Sequence, residues 1–194
     1  MKSVNKVAFN TGILYCRMLI TIGISLYTTR VVLNALGSTD YGIFNLVAGV
    51  IAMLSFLNSA MATSTQRFLS FYQGKKDITM QRKVFTSSFL LHIIIGLVLV
   101  LGLEIIGFFL FDGFLNIPQN RLHTAQVIYH FMSATVFFTV ITVPFTGTLT
   151  ARENMLYVAI VSIIETLLKL GIAFTLLTVT SDKLVVYGLL TASV

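Results

Sequence analysis

Residues 84–111 read VFTSSFLLHIIIGLVLVLGLEIIGFFLF, and in this stretch His92 and Glu104 are the only side chains able to carry charge. A helix that crosses a membrane needs about 20 predominantly apolar residues, and this run exceeds that length. A barrel strand would alternate apolar and polar positions over about 10 residues. Residues 93–101 do not alternate; they are apolar almost without a break. The stretch predicts a helix whose solvent is lipid.

The rest of the chain agrees. Of 194 residues, 56% are hydrophobic and only 10% charged, against roughly 25% charged in a soluble domain. Seven acidic and 13 basic residues cannot clothe a water-facing surface of this size. The mean hydropathy of +0.91 carries the same message. Four more complete spans are predicted, at 7–36, 41–65, 124–150 and 155–178, and a sixth opens at 184 and reaches 194. The expected fold is all-α: one polytopic transmembrane helix bundle over residues 1–194, with five complete spans and a truncated sixth. That last segment would cover about 16 Å, roughly half the hydrocarbon thickness, so the parent protein is expected to continue. Lys2 and Lys6 precede the first apolar run in the manner of a signal peptide. The run is too long for one, contains Arg17 and offers no convincing cleavage site, so it reads as a retained span.

The net charge of +6 does not point to nucleic acid, because the charges sit in loops rather than on one face. Five of the 13 basic residues fall between Arg67 and Lys83. With the N-terminus inside, the cytoplasmic segments carry Lys2, Lys6, Arg67, Lys75, Lys76, Arg82, Lys83 and Arg152, and the external ones only Arg121 and Lys183. Eight against two is a strong positive-inside bias and predicts a cytoplasmic N-terminus. Cys16 is the single cysteine, which excludes an intrachain disulfide and a cysteine metal cluster. The lipid bilayer is the partner that composition implies.

Polar residues inside apolar spans hold the functional information. Arg17 lies about ten residues into the first span, near mid-depth at roughly 1.5 Å per residue. An arginine there costs at least ~2.5–3.5 kcal/mol, so it should face protein or water. Asn10, Arg17, Thr21, Ser25 and Thr28 fall on one helical stripe. That stripe reads either as the lining of a water-filled cavity, with Arg17 as an anion contact, or as a seam in which Arg17 satisfies a neighbouring helix. Arg30 is close to the far end of the span, where a long side chain can reach the interface, and anchoring is its simpler role.

Span five carries Glu165 and Lys169 at i, i+4, either an intrahelical ion pair or part of a proton- or sodium-coupled gate. Span four shows Thr135, Thr139, Thr142 and Thr146 at helical spacing, together with Pro144, which is expected to kink it. Such hydroxyls line a moving pathway or simply bond to backbone and adjacent helices. His92 and Glu104 are too far apart along span three to form one site, and Gly96, Gly102 and Gly107 there predict close helix contacts. Phosphate-binding loop, nucleophile elbow and metal-ligand spacing are all missing; His123 and His130, seven apart, lack a third ligand. Nothing reads as catalysis, and no cofactor or metal is implied.

At residues 29–44, TRVVLNALGSTDYGIF, the chain resembles the N-terminal hairpin of polysaccharide-biosynthesis membrane proteins of the Wzx-type O-antigen flippase family. That family falls within the superfamily of multidrug, lipid-linked oligosaccharide and polysaccharide exporters. The core L-G-x-x-D-Y-G also suits a hairpin mechanically: Gly37 can end one span in a left-handed cap, Asp40 can cap the next and Tyr41 suits the interface. Residues 64–68, STQRF, with the basic loop after them, and residues 148–155 are similar too. The resemblance implies two pseudo-symmetric lobes, of which this chain is most of the first. It implies export of an undecaprenyl-diphosphate-linked oligosaccharide across the bacterial inner membrane by alternating access, with H+ or Na+ as the coupling ion. It assigns Arg17 to the cargo diphosphate and Arg30 as a secondary contact, with Thr21 and Ser25 on the same stripe. A cation-coupled drug exporter of the same superfamily is the alternative, and a membrane enzyme acting on lipid-linked sugars is a third. The first span has no acid, which disfavours the drug exporter. The longest external segment, 112–123, is too short for the catalytic loop such an enzyme needs.

Overall fold

The computed structural model describes the backbone of residues 2–194 and the side chains of residues 8–54 and 56–194. Lys2 and Lys6, which contribute to the expected orientation, have side chains outside the described residues. The helices are α1 (Lys2–Ala52), α2 (Ser55–Gly74), α3 (Ile78–Phe109), α4 (Leu122–Ala151), α5 (Met155–Thr178) and α6 (Lys183–Ala192). A π turn, Leu110–Phe114, and a 3₁₀ turn, Gln119–Arg121, join α3 to α4. No strand occurs among the described residues. Four helical paths are long and apolar enough to cross a membrane: Ala8–Gly74, Ile78–Phe114, Gln119–Ala151 and Met155–Thr178. The protein is a polytopic helix bundle and spans the membrane several times.

The first of those paths doubles back at one residue. Gly37 has φ 79° and ψ 169°, a backbone geometry that any side chain would strain. Near the start of α1, Asn10 Nδ2 donates to the Glu153 carbonyl at 3.3 Å. Further along, Val32 packs on Ala173 and Leu176. The limb before Gly37 therefore runs parallel to α5. Beyond Gly37, Ile43, Phe44 and Val47 share a core with Ala125, Ile128 and Tyr129 at the start of α4. Ala62 and Thr65 of α2 then meet Gly147 near its end. This second limb and α2 run parallel to α4, opposite to α5.

The connection expected at 37–40 is thus a single glycine, with Ser38, Thr39 and Asp40 already helical. The crossing placed at 41–65 is built in two pieces, with a turn at Met53 and Leu54, and α2 carries it on to Gly74. Asp40 does not cap that crossing; its carboxylate takes the Arg121 guanidinium instead. Caps do form elsewhere: Asp77 accepts from Met80 N at 2.9 Å, and Asp182 from Leu184 N at 3.1 Å. α4 runs unbroken through Pro144.

Small residues set the helix contacts. A Cβ at Gly96 would lie 2.9 Å from the Phe137 ring, and one at Gly107 only 2.6 Å from Tyr129. Gly102, expected alongside them, faces open space. Large apolar side chains cover the outside: Leu101 is 63% exposed and Phe108 81%. Their natural solvent is hydrocarbon. Ionisable side chains concentrate at the two ends. One end, called here the basic end, holds Arg67, Lys75, Lys76, Arg82, Lys83 and Arg152; the Gly37 end holds Asp40, Asp112, Arg121, Asp182 and Lys183.

Candidate functional site

Helical periodicity groups Arg17, Thr21 and Ser25 on one face of α1, and the structure leaves that face open. Arg17 is half-buried and has no hydrogen-bond or ion-pair partner among the described residues. It is not tied to a neighbouring helix. Ser25 is exposed, and Thr21 Oγ1 donates to the Met18 carbonyl at 3.1 Å. The stripe closes at both ends, through Asn10 on the Glu153 carbonyl and through buried Thr28 on the Ile24 carbonyl at 2.8 Å. Arg30 points away, exposed and also without a partner among the described residues.

The α5 pair is closed on itself. Lys169 Nζ donates to Glu165 Oε1 at 2.7 Å, with both side chains a little under half exposed. Each charge cancels the other within one helical turn, which lowers the cost of placing either in lipid. The threonines of α4 likewise turn inward on their own helix. Thr135, Thr139 and Thr142 donate to the carbonyls of Met132, Thr135 and Thr139 at 2.7, 2.9 and 2.8 Å. They cover backbone acceptors, as helical hydroxyls in apolar surroundings commonly do.

A second polar site lies across the α3–α4 contact. His130 Nδ1 sits 2.6 Å from Glu104 Oε2, and Ser133 Oγ donates to Glu104 Oε1. Both carboxylate oxygens of Glu104 are thus engaged by side chains of α4. Glu104 and His130 line a cavity of about 390 Å³ that extends to Asp112 in the π turn. Sequence spacing separates His92 from Glu104, and the structure keeps them in different networks; the partner of Glu104 is His130, from the next helix. The usable signal was the Glu104 carboxyl itself, which cannot sit in an apolar span without donors from another helix.

His92 is buried in a different network. Its Nδ1 donates to the Ser88 carbonyl at 2.6 Å, and Ser88 Oγ meets Thr65 Oγ1 of α2 at 2.9 Å. His92 Nε2 is buried without a partner. Among the described residues no three His, Cys, Asp or Glu side chains gather around one point where a metal ion could be held.

At the Gly37 end, outside the lipid-crossing segments, Arg121 ties three elements together. Its Nη2 lies 2.8 Å from Asp40 Oδ2 and its Nη1 2.8 Å from Asp182 Oδ2. Burial pushes the Asp40 carboxyl above its usual range; Arg121 pulls it back and Asp182 adds to the rise. The triad fastens the turn after the first limb to the starts of α4 and α6.

Against known proteins, residues 14–175 match the family described as MatE. No curated protein and no solved structure matches the chain.

Proposed function

The chain belongs to the MatE family of membrane exporters, and from that premise we propose that it forms the first lobe of a transporter that flips an undecaprenyl-diphosphate-linked oligosaccharide. The observation that carries this reading is Arg17, a guanidinium within a lipid-crossing helix, on a polar stripe, without a partner among the described residues. A diphosphate cannot cross hydrocarbon uncompensated, and a planar guanidinium offers it two parallel hydrogen bonds. Thr21 and Ser25 extend the stripe, and Arg30 is the secondary cation toward the Gly37 end. The excess of basic residues at the opposite end supports an N-terminus in the cytoplasm of a bacterium, with the Gly37 end facing the periplasm. Glu165 and Lys169 serve in this reading as part of a proton- or sodium-coupled gate.

Arg17→Ala in the complete protein should abolish export of surface polysaccharide while the protein remains in the membrane fraction. Arg17→Lys should restore it only in part, since lysine keeps the charge and loses the fork. Normal export by Arg17→Ala would remove the assigned role.

A second reading, a cation-coupled multidrug exporter, draws on the Glu104–His130–Ser133 site, where a carboxylate and an imidazole meet beside a cavity. Under it, Glu104→Gln would lose drug resistance conferred on a host strain, and Arg17→Ala would retain it. The two variants therefore separate the two readings.

A further inference from the structure

A cavity of about 730 Å³ opens at the basic end where α2, α3, α4 and α5 meet. Its walls are apolar: Leu69, Phe85, Phe145 and Val161 contribute, and the Phe85 and Phe145 rings lock edge-to-face with centroids 5.2 Å apart. Its polar lining includes two arginines, Arg82 near the start of α3 and Arg152 directly after α4. Both are exposed, and neither has a hydrogen-bond or ion-pair partner among the described residues. Asp77 caps α3, and Lys75 lies 4.4 Å over the Phe71 ring.

This combination selects a class of ligand. An inorganic anion would need the guanidiniums and have no use for aromatic walls. A neutral apolar molecule would fill the walls and leave two cations unmet. A lipid with a phosphate head satisfies both, and basic pockets between helices near a membrane surface are known to hold such heads. The volume falls within the roughly 300–1,000 Å³ of small-molecule sites.

We propose that this cavity binds one membrane lipid with a net anionic phosphate head, its phosphate on Arg82 and Arg152 and its hydrocarbon against Leu69, Phe85, Phe145 and Val161. The site is distinct from the Arg17 stripe and does not depend on the cargo proposed above. Its occupant is either a resident phospholipid or a polyprenyl phosphate, since the recognising chemistry is shared.

The chain contains no tryptophan, so Tyr157→Trp places a single reporter in the cavity wall. The protein is reconstituted in phosphatidylcholine vesicles containing brominated phosphatidylglycerol or, separately, brominated phosphatidylcholine. At equal mole fraction the phosphatidylglycerol should be about fivefold or more the better quencher, given the contribution of two arginines near a membrane surface. Arg82→Gln with Arg152→Gln should erase that preference, and Arg82→Lys with Arg152→Lys should keep part of it. If the double glutamine protein fails to insert, the single glutamine variants are read in its place, and each should lose part of the preference. Equal quenching by the two headgroups, or a preference that survives the glutamines, overturns the site. Displacement of the brominated lipid by inorganic phosphate alone overturns the role of the apolar walls. Displacement by undecaprenyl phosphate at lower mole fraction than by unbrominated phosphatidylglycerol supports the site with a polyprenyl carrier in it; the reverse order supports it with a resident phospholipid.

Discussion

Glu104 Oε2 and His130 Nδ1 lie 2.6 Å apart across the α3–α4 contact, beside a cavity that Phe108, Phe111, Asp112 and Gln126 also line. Ser133, one turn further along α4, occupies the other carboxylate oxygen. Gly107 and Tyr129 bring the two helices close at this level, and Tyr129 Oη reaches the Leu103 carbonyl at 2.6 Å. The polar site and the tight packing support each other.

Removing Glu104 takes the acceptor from His130 Nδ1 and one of two from Ser133 Oγ, which keeps the His130 carbonyl at 3.0 Å. Glu104→Ala should lower stability by about 1–2 kcal/mol. Glu104→Gln keeps one acceptor and should cost clearly less. Thermal unfolding of the purified protein in detergent checks the order; a glutamine variant as weak as the alanine one contradicts it.

Glycines that look alike in sequence should respond in opposite directions. At Gly147 a Cβ would lie 3.2 Å from the Ala62 carbonyl oxygen and 3.3 Å from Gln66 N, both backbone atoms that cannot swing aside. Gly147→Ala must therefore separate α2 from α4, an overpacking penalty of about 1–3 kcal/mol. Gly102 faces open space, so Gly102→Ala should gain up to about 1 kcal/mol of helix propensity. The two melting temperatures should move apart, and a fall at both positions would contradict the packing described.

These contrasts mark where the sequence is legible. Unbroken apolar runs announce lipid-facing helices because the solvent constrains every position, and the helical assignments at 124–150 and 155–178 follow from that alone. The turn at Gly37 is harder to place. Ser38, Thr39 and Asp40 read as loop residues, yet one glycine with positive φ suffices to reverse the chain and leaves them helical. The Arg17 stripe is visible because its members repeat at the helical period. Glu104 and His130 share no local period, since they meet only through the rotation and pairing of two separate helices. Their signal was energetic: a carboxyl in hydrocarbon requires partners.

His92 gives a further test of that energetic rule. Its Nε2 is buried without a partner, while only Nδ1 is bonded. Replacing such a group with an apolar one can be neutral or favourable, because the uncompensated desolvation disappears. His92→Leu should therefore match or slightly exceed the wild-type melting temperature, whereas Thr65→Val, which removes the shorter of the two hydrogen bonds of Ser88 Oγ, should lower it. A loss of about 2 kcal/mol on His92→Leu would mean that the ring contributes more than its Nδ1 contacts with Ser88 suggest.

At the Gly37 end the sign of the pH dependence decides between burial and ion pairing at Asp40, whose side chain is 13% exposed. Burial is the largest influence and raises the carboxyl pKa from its ordinary 3.8; the Arg121 attraction is smaller and Asp182 works against it. Folded Asp40 thus holds its proton more tightly than the unfolded chain does. Its contribution to stability is fully present below the unfolded value and is lost as pH rises through the higher folded one. Asparagine at this position cannot titrate and resembles the protonated acid. As pH falls from about 7 to about 4, the wild type should therefore gain stability relative to Asp40→Asn. Paired melting curves across that range measure the difference directly. If the wild type instead loses ground to the variant on acidification, the Arg121–Asp40 attraction outweighs burial and the triad is held by charge.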